Sequence, residues 1–149
     1  MPRRYSTDGA QNAAAATTII GLTSASTIRP AIYEVVFGSA ATPADQAFNL
    51  QLNRFTAAGT STGVTPQALD PGDPASLATG GENHTVEPTY TSGAVLLSFS
   101  INQQATFRWV AAPEGELVCP ATAANGIGIN FVTVSGGTAL CEANFHHIE

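Results

Sequence analysis

His146, His147 and Glu149 stand close enough in the sequence to suggest a shared metal-ligand set. In an extended chain successive side chains point to opposite faces, so His147 and Glu149 share one face and His146 takes the other. At most two of the three converge, and zinc takes three or four protein ligands. No metal site is expected. Asp70 and Asp73 lie in Leu-Asp-Pro-Gly-Asp-Pro, where Asp before Pro is turn chemistry. A calcium loop needs more carboxylates at tighter alternate spacing. Glu114 and Glu116 flank Gly115 and would form a glycosidase-like pair if they faced each other across a cleft. In a connecting segment they read as solvated turn residues.

Nucleophilic catalysis fares no better. No serine sits in a Gly-x-Ser-x-Gly elbow. His84 lies in a Gly-rich stretch, and the sequence names no partners for it in a Ser-His-Asp triad. Asn83-His84-Thr85 matches a glycosylation sequon, which matters only in a secreted chain. No phosphate-cradling Gly loop opens a helix. Trp109 could be a sugar platform, but its expected partner Phe99 assigns it to the core. The chain is expected to be no enzyme and to need no cofactor.

The elements that carry these residues read as strands. The pattern predicts them at 17–22, 31–38, 48–54, 86–91, 94–101, 106–111, 126–134 and 138–147. The clearest is 48–54, where Phe48, Leu50 and Leu52 share one face and Asn49, Gln51 and Asn53 the other. Two hairpins are expected from face matching. A three-residue loop at Ser135-Gly136-Gly137 sets Phe131 opposite Cys141, Ile129 opposite Ala143 and Ile127 opposite Phe145. The same test sets Ile101 opposite Phe107 and Phe99 opposite Trp109.

Short strands at this spacing predict an all-β fold, an antiparallel β-sandwich of jelly-roll type, over residues 17–149. Its core includes Phe99, Ile101, Phe107, Trp109, Ile129 and Phe131. Residues 56–83, rich in Gly, Pro and Thr, are expected to form a long surface loop. Residues 1–16 show no periodicity and are expected to form an extended N-terminal arm. Held by a neighbouring subunit or a shell beneath it, that arm would offer Tyr5 as an aromatic anchor. Arg3 and Arg4 would fork onto acidic groups.

Only 11% of the 149 residues are charged, against about 25% in ordinary soluble domains. Thr, Ser, Ala, Asn, Gln and Gly fill the gap, and such groups lose less on burial than charges do. This composition suits extensive contact with other protein. The net charge is −6 and every basic residue is Arg, so no basic stripe exists to hold a phosphate backbone. No apolar run approaches the ~20 residues of a membrane span. The first residues, Met-Pro-Arg-Arg-Tyr-Ser, lead into no apolar signal core, and the chain is expected to be made in the cytoplasm. Cys119 and Cys141 show no metal spacing. They read as two buried thiols; bridged, they would contribute about 3 kcal/mol in the chain-entropy model.

The segment from Phe107-Arg-Trp-Val-Ala-Ala-Pro-Glu-Gly-Glu-Leu-Val-Cys-Pro to Ala-Asn-Gly-Ile-Gly-Ile129 resembles a β-rich structural protein of the head gene cluster of tailed bacteriophages. Tyr33-Glu-Val-Val-Phe-Gly38 and Phe48-Asn-Leu-Gln-Leu-Asn-Arg54 are similar in character. Proteins of that kind are cement or decoration proteins, often trimers, seated where capsomers meet and resisting the pressure of packaged DNA. The resemblance implies a homotrimer on the virion exterior that binds the major capsid protein and stabilises the head. It carries no functional residue across. The rival expectation is a carbohydrate- or receptor-binding sandwich module of a phage tail or fibre, using loop aromatics such as Tyr90.

Overall fold

Strands that alternate apolar and polar residues have one face to bury, and two sheets meet that need by closing on each other. The computed structural model describes residues 2–149. It is all-β, with every pairing antiparallel and no helix among the described residues. Sheet A holds β1 (Arg4–Asn12), β3 (Ala31–Ala41), β6 (Gln67–Ala68), β9 (Phe107–Val110), β10 (Leu117–Val118) and β12 (Leu140–Ile148). Their order is β10-β3-β12-β1-β6, with β9 also on β3. Sheet B holds β2 (Thr18–Thr23), β4 (Ala47–Ala57), β5 (Thr60–Val64), β7 (Thr79–Val86), β8 (Thr89–Asn102) and β11 (Gly126–Val134). It runs β5-β7-β2-β11-β4-β8.

Leaving out β10 and the excursion β5 to β7, eight strands remain, in the orders β9-β3-β12-β1 and β2-β11-β4-β8. Every link between them crosses from one sheet to the other except β4 to β8, which are neighbours. That winding is two interleaved Greek keys, a jelly roll.

The core lies between the sheets. Phe37 of sheet A meets the rings of Phe48, Phe131 and Phe99 edge-on at 6.0, 6.2 and 6.3 Å. Ile20, Leu22, Leu50, Leu52, Ile127 and Ile129 complete it from sheet B, Val35 and Phe145 from sheet A. Of the expected core, Ile129 and Phe131 are fully buried. Phe99, Ile101, Phe107 and Trp109 pack against it only partly buried, on the side where β8 and β9 are the outer strands.

Neither expected hairpin forms. β11 belongs to sheet B and β12 to sheet A, and β8 and β9 are divided in the same way. The faces, not the expected pairs, meet across the core: Phe99, expected opposite Trp109, stacks on Phe107 with centroids 3.7 Å apart. Alternation looks the same whether two apolar faces adjoin within a sheet or oppose each other across a sandwich. Gly136 and Gly137, both at positive φ, turn the chain from one sheet to the other.

The expected arm is a strand. β1 pairs residue by residue with β12 from Arg4↔Ile148 to Asn12↔Leu140, and with β6 on its other side. Its buried face is Tyr5, Thr7 and Gly9, which gives almost no hydrophobic alternation to read. Met1 lies outside the described residues. The expected loop 56–83 also contains strands: β5, β6 and the start of β7. Its glycines mark close approach as much as turning. A Cβ on Gly80 would lie 2.5 Å from Thr7 Cγ2, and one on Gly81 2.3 Å from Ser61 Oγ.

Phe37→Ala is expected to cost about 3–5 kcal/mol. Trp109→Ala, at the partly open side, is expected to cost clearly less. Urea denaturation of both variants at unchanged m checks this; equal losses would contradict the division between closed core and open side.

Candidate interaction surface

The residues with chemical potential are scattered by the fold. His147 is buried and stacks on Tyr5 at 5.4 Å, whereas His146 is on the outer face of sheet A, stacked on Tyr33 at 5.9 Å. His146 Nδ1 lies 3.0 Å from Glu34 Oε2, and Arg108 Nε donates to Glu34 Oε1 at 2.6 Å. Those two partners hold the Glu34 carboxyl below its ordinary range. Glu149 accepts from Ser76 Oγ and from the backbone N–H groups of Leu77 and Ala78, pinning that segment to sheet A. Its Oε1 is 3.5 Å from His147 Nε2, too long for a good hydrogen bond. Among the described residues neither His147 nitrogen has a hydrogen-bond partner, and burial pushes its pKa down to about 4.

Asp70 Oδ1 accepts from Gly72 N at 2.8 Å, a local turn bond. Glu114 is exposed at positive φ in the link from β9 to β10. Among the described residues His84 Nδ1 has no hydrogen-bond partner, and a catalytic histidine needs an orienting acceptor there. Cys119 and Cys141 are free and buried, and burial pushes their thiols up to about 12 and about 11. Thiols so placed stay protonated and inert. Among the described residues no three His, Cys, Asp or Glu form a group able to hold a metal ion.

Of the three residues expected to bind a partner, Tyr5 is fully buried and donates to Pro74 O at 3.0 Å, so it is no surface anchor. Arg3 and Arg4 remain exposed. The Arg4 guanidinium lies 5.8 Å over the Tyr33 ring.

What the fold does assemble is a difference between two faces. The strands of sheet A carry Arg4, Asp8, Glu34, Arg108 and Glu142. A groove of about 390 Å³ crosses their outer side, with Asp8, Val36, Gly38 and Glu142 among its lining. In sheet B, β2, β5, β8 and β11 carry no charge at all. The two charges on its other strands reach across to sheet A: Arg54 Nη1 donates to Val118 O, and Glu82 Oε2 accepts from Ala10 N at 2.7 Å.

The outer face of sheet B is therefore amide and hydroxyl. Gln51 stands between Asn130 and Ser98, and Asn49 between Thr133 and Ser100. Asn53 Nδ2 donates to Asn130 Oδ1 at 2.7 Å, and Asn49 Nδ2 to Ser100 Oγ at 2.8 Å. Toward β2 the same face carries aromatic side chains laid over glycines. A Cβ on Gly126 would come within 2.5 Å of the Phe55 ring, and one on Gly128 within 2.5 Å of Tyr90 Oη. Tyr90 bonds Thr18 Oγ1 at 2.9 Å and meets Phe55 edge-on. Glu87, in the link from β7 to β8, is tied to Thr18 N.

This partition had a signal in the sequence that strand-by-strand reading passes over. Stretches 9–28, 88–107 and 117–141 contain no charged residue. They hold β2, β8 and β11, which the fold gathers into one sheet. Comparison with known protein families, curated proteins and solved structures finds no match.

The buried histidine sets a pH dependence whose sign can be worked out. Folding keeps His147 neutral down to about 4, whereas the unfolded chain takes up the proton near the ordinary 6.5. Between those values the unfolded state binds more protons, so stability falls as pH drops from 6.5 toward 4. Glu34 and Glu149, both held low, act lower still: their contribution is lost below the ordinary carboxyl value of 4.5. His147→Phe is expected to flatten the slope between pH 6.5 and 4.5, leaving only the smaller part due to His84, which burial also holds low. Urea unfolding at a series of pH values measures this; an unchanged slope would contradict it.

Proposed function

We propose that this chain is a virion structural protein that binds the outside of a tailed-bacteriophage head and stabilises its capsid lattice. The observation that carries the reading is the uncharged part of sheet B's outer face away from Glu87, built around Asn49, Gln51, Asn53, Asn130, Ser98 and Ser100. Docking protein on such a face strips water from amides and hydroxyls whose partners are easily replaced. Charged surface would lose far more. The acidic remainder of the molecule suits the outside of a shell filled with nucleic acid, since a net charge of −6 disfavours phosphate. The resemblance to head decoration proteins agrees with both points. A sheet of hydrogen-bonded strands also presents a rigid face, so binding orders few side chains.

The rival reading, a glycan- or receptor-binding module, needs exposed aromatics. Tyr90 offers no free platform, because its hydroxyl bonds Thr18 and its ring packs on Phe55.

Co-sedimentation with mature heads of the phage that encodes the chain is the test. Gln51→Lys, placing a charge at the middle of the face, is expected to weaken binding at least about tenfold, or about 1.4 kcal/mol. Its effect on folding stability is expected to stay within about 0.5 kcal/mol, as at other surface positions. Asp8→Asn on the opposite face is expected to bind as the wild type does. Wild-type protein that fails to sediment with heads, or a Gln51→Lys variant that binds normally, refutes the proposal.

A further inference from the structure

β8 has one edge with no strand on it: among the described residues it pairs only with β4. From Leu97 to Asn102 that pairing runs without a register shift, opposite Ala47 to Leu52, whereas shifts interrupt the stretch before it. Natural sheets blunt such edges with charges, prolines or bulges. The segment Leu-Ser-Phe-Ser-Ile-Asn at 97–102 has none of these. On its inner side Leu97, Phe99 and Ile101 are only partly buried, as are Phe107 and Trp109 of sheet A beside them. Free backbone groups next to a half-covered apolar row are completed by one more strand.

We propose that this strand is β8 of a second copy of the chain, paired antiparallel about a two-fold axis near Phe99 and Ser100. Self-complementarity selects the occupant, and charge permits it. Two molecules of net charge −6 repel over most mutual contacts, but this edge brings no acidic side chain against another within its own length. At the end of the segment, the Asp45 carboxylate is engaged by Asn102 Nδ2 at 2.6 Å. A two-fold contact needs a single patch that fits itself, and 97–102 does. Registers that keep the faces matched set Phe99 against Phe99 or Ile101, and Ser100 against Ser98 or Ser100. A slip of one residue would set serines against the apolar row. The pairing joins two copies of sheet B into one continuous sheet and covers the open side where Phe99 and Phe107 stack. It gives two copies rather than the three that the resemblance implies, and it needs no shell in order to form.

Sedimentation of the purified full chain at micromolar concentration is expected to give the mass of two copies. Ser98→Lys with Ser100→Lys sets like charges across the axis from exposed positions. The double variant is expected to associate at least about tenfold more weakly and to run as one copy. Mixing it with the Ser98→Glu, Ser100→Glu variant is expected to restore the two-copy species. Ser98→Cys with Ser100→Cys is expected to cross-link two chains under mild oxidation, since opposed Cβ atoms of a non-hydrogen-bonded pair approach to about 4.5 Å, within reach of a disulfide. That readout stands even if the lysine variant fails to fold. A one-copy or three-copy mass for the wild type, association unaffected by the lysines, or no cross-link each overturns the proposal.

Discussion

The pairing of β1 with β12 is the contact on which the rest of the fold depends. Nine successive residues of each strand stand opposite one another, so the first strand of the winding lies against the last. β1 is the inner neighbour of β6 and β12 the inner neighbour of β3, which puts both in the middle of sheet A. Without β1, sheet A would lose the strand that carries Tyr5, and the segment 74–78 would lose its seat. That segment is hydrogen-bonded by two side chains, Tyr5 through Pro74 and Glu149 through Ser76, Leu77 and Ala78, and its Ala78 packs in the core. Because the links cross between the sheets, a change in β1 is felt in sheet B through Glu82, whose carboxylate receives Ala10 N.

Much of this architecture was legible in the sequence, and what was not has a physical reason. The strict alternation at Phe48, Leu50 and Leu52 marks β4, and the apolar run at Ile127, Ile129 and Phe131 marks β11, because large apolar residues fill the faces they bury. β1 escaped notice because the face it buries is Tyr5, Thr7 and Gly9. Where a strand is packed closely by a neighbour, small and polar residues replace large ones and periodicity fades. Partnership between strands was illegible for another reason. Parity fixes which way a side chain points but not which sheet the strand joins, so matched faces at Phe131 and Cys141 fit a hairpin and a crossing equally well.

The interaction surface was hidden at the same level. Charge-free stretches are visible in the chain, but that they lie side by side follows only from the winding that places β2, β11, β4 and β8 in one sheet. Buried polar groups follow the same economy. His147 sits inside without a hydrogen bond to either nitrogen, tolerated because it remains neutral and stacks on Tyr5. His146, one residue away, reaches the outer face and has a carboxylate. Adjacent residues of one type thus live in opposite media because a strand turns them to opposite sides.

Where β1 begins and where β12 ends has a mechanical consequence. Arg4 stands opposite Ile148, so the two outermost ends of the paired strands lie together. A force pulling those ends apart would act across the strands, along the line of the hydrogen bonds, and would load them one at a time from the Arg4 end. The pair would open like a zipper instead of resisting as a block. Force applied along the strands would instead shear all of those bonds at once. A molecule built this way withstands load along its strands and yields to load that parts the Arg4 and Ile148 ends of β1 and β12.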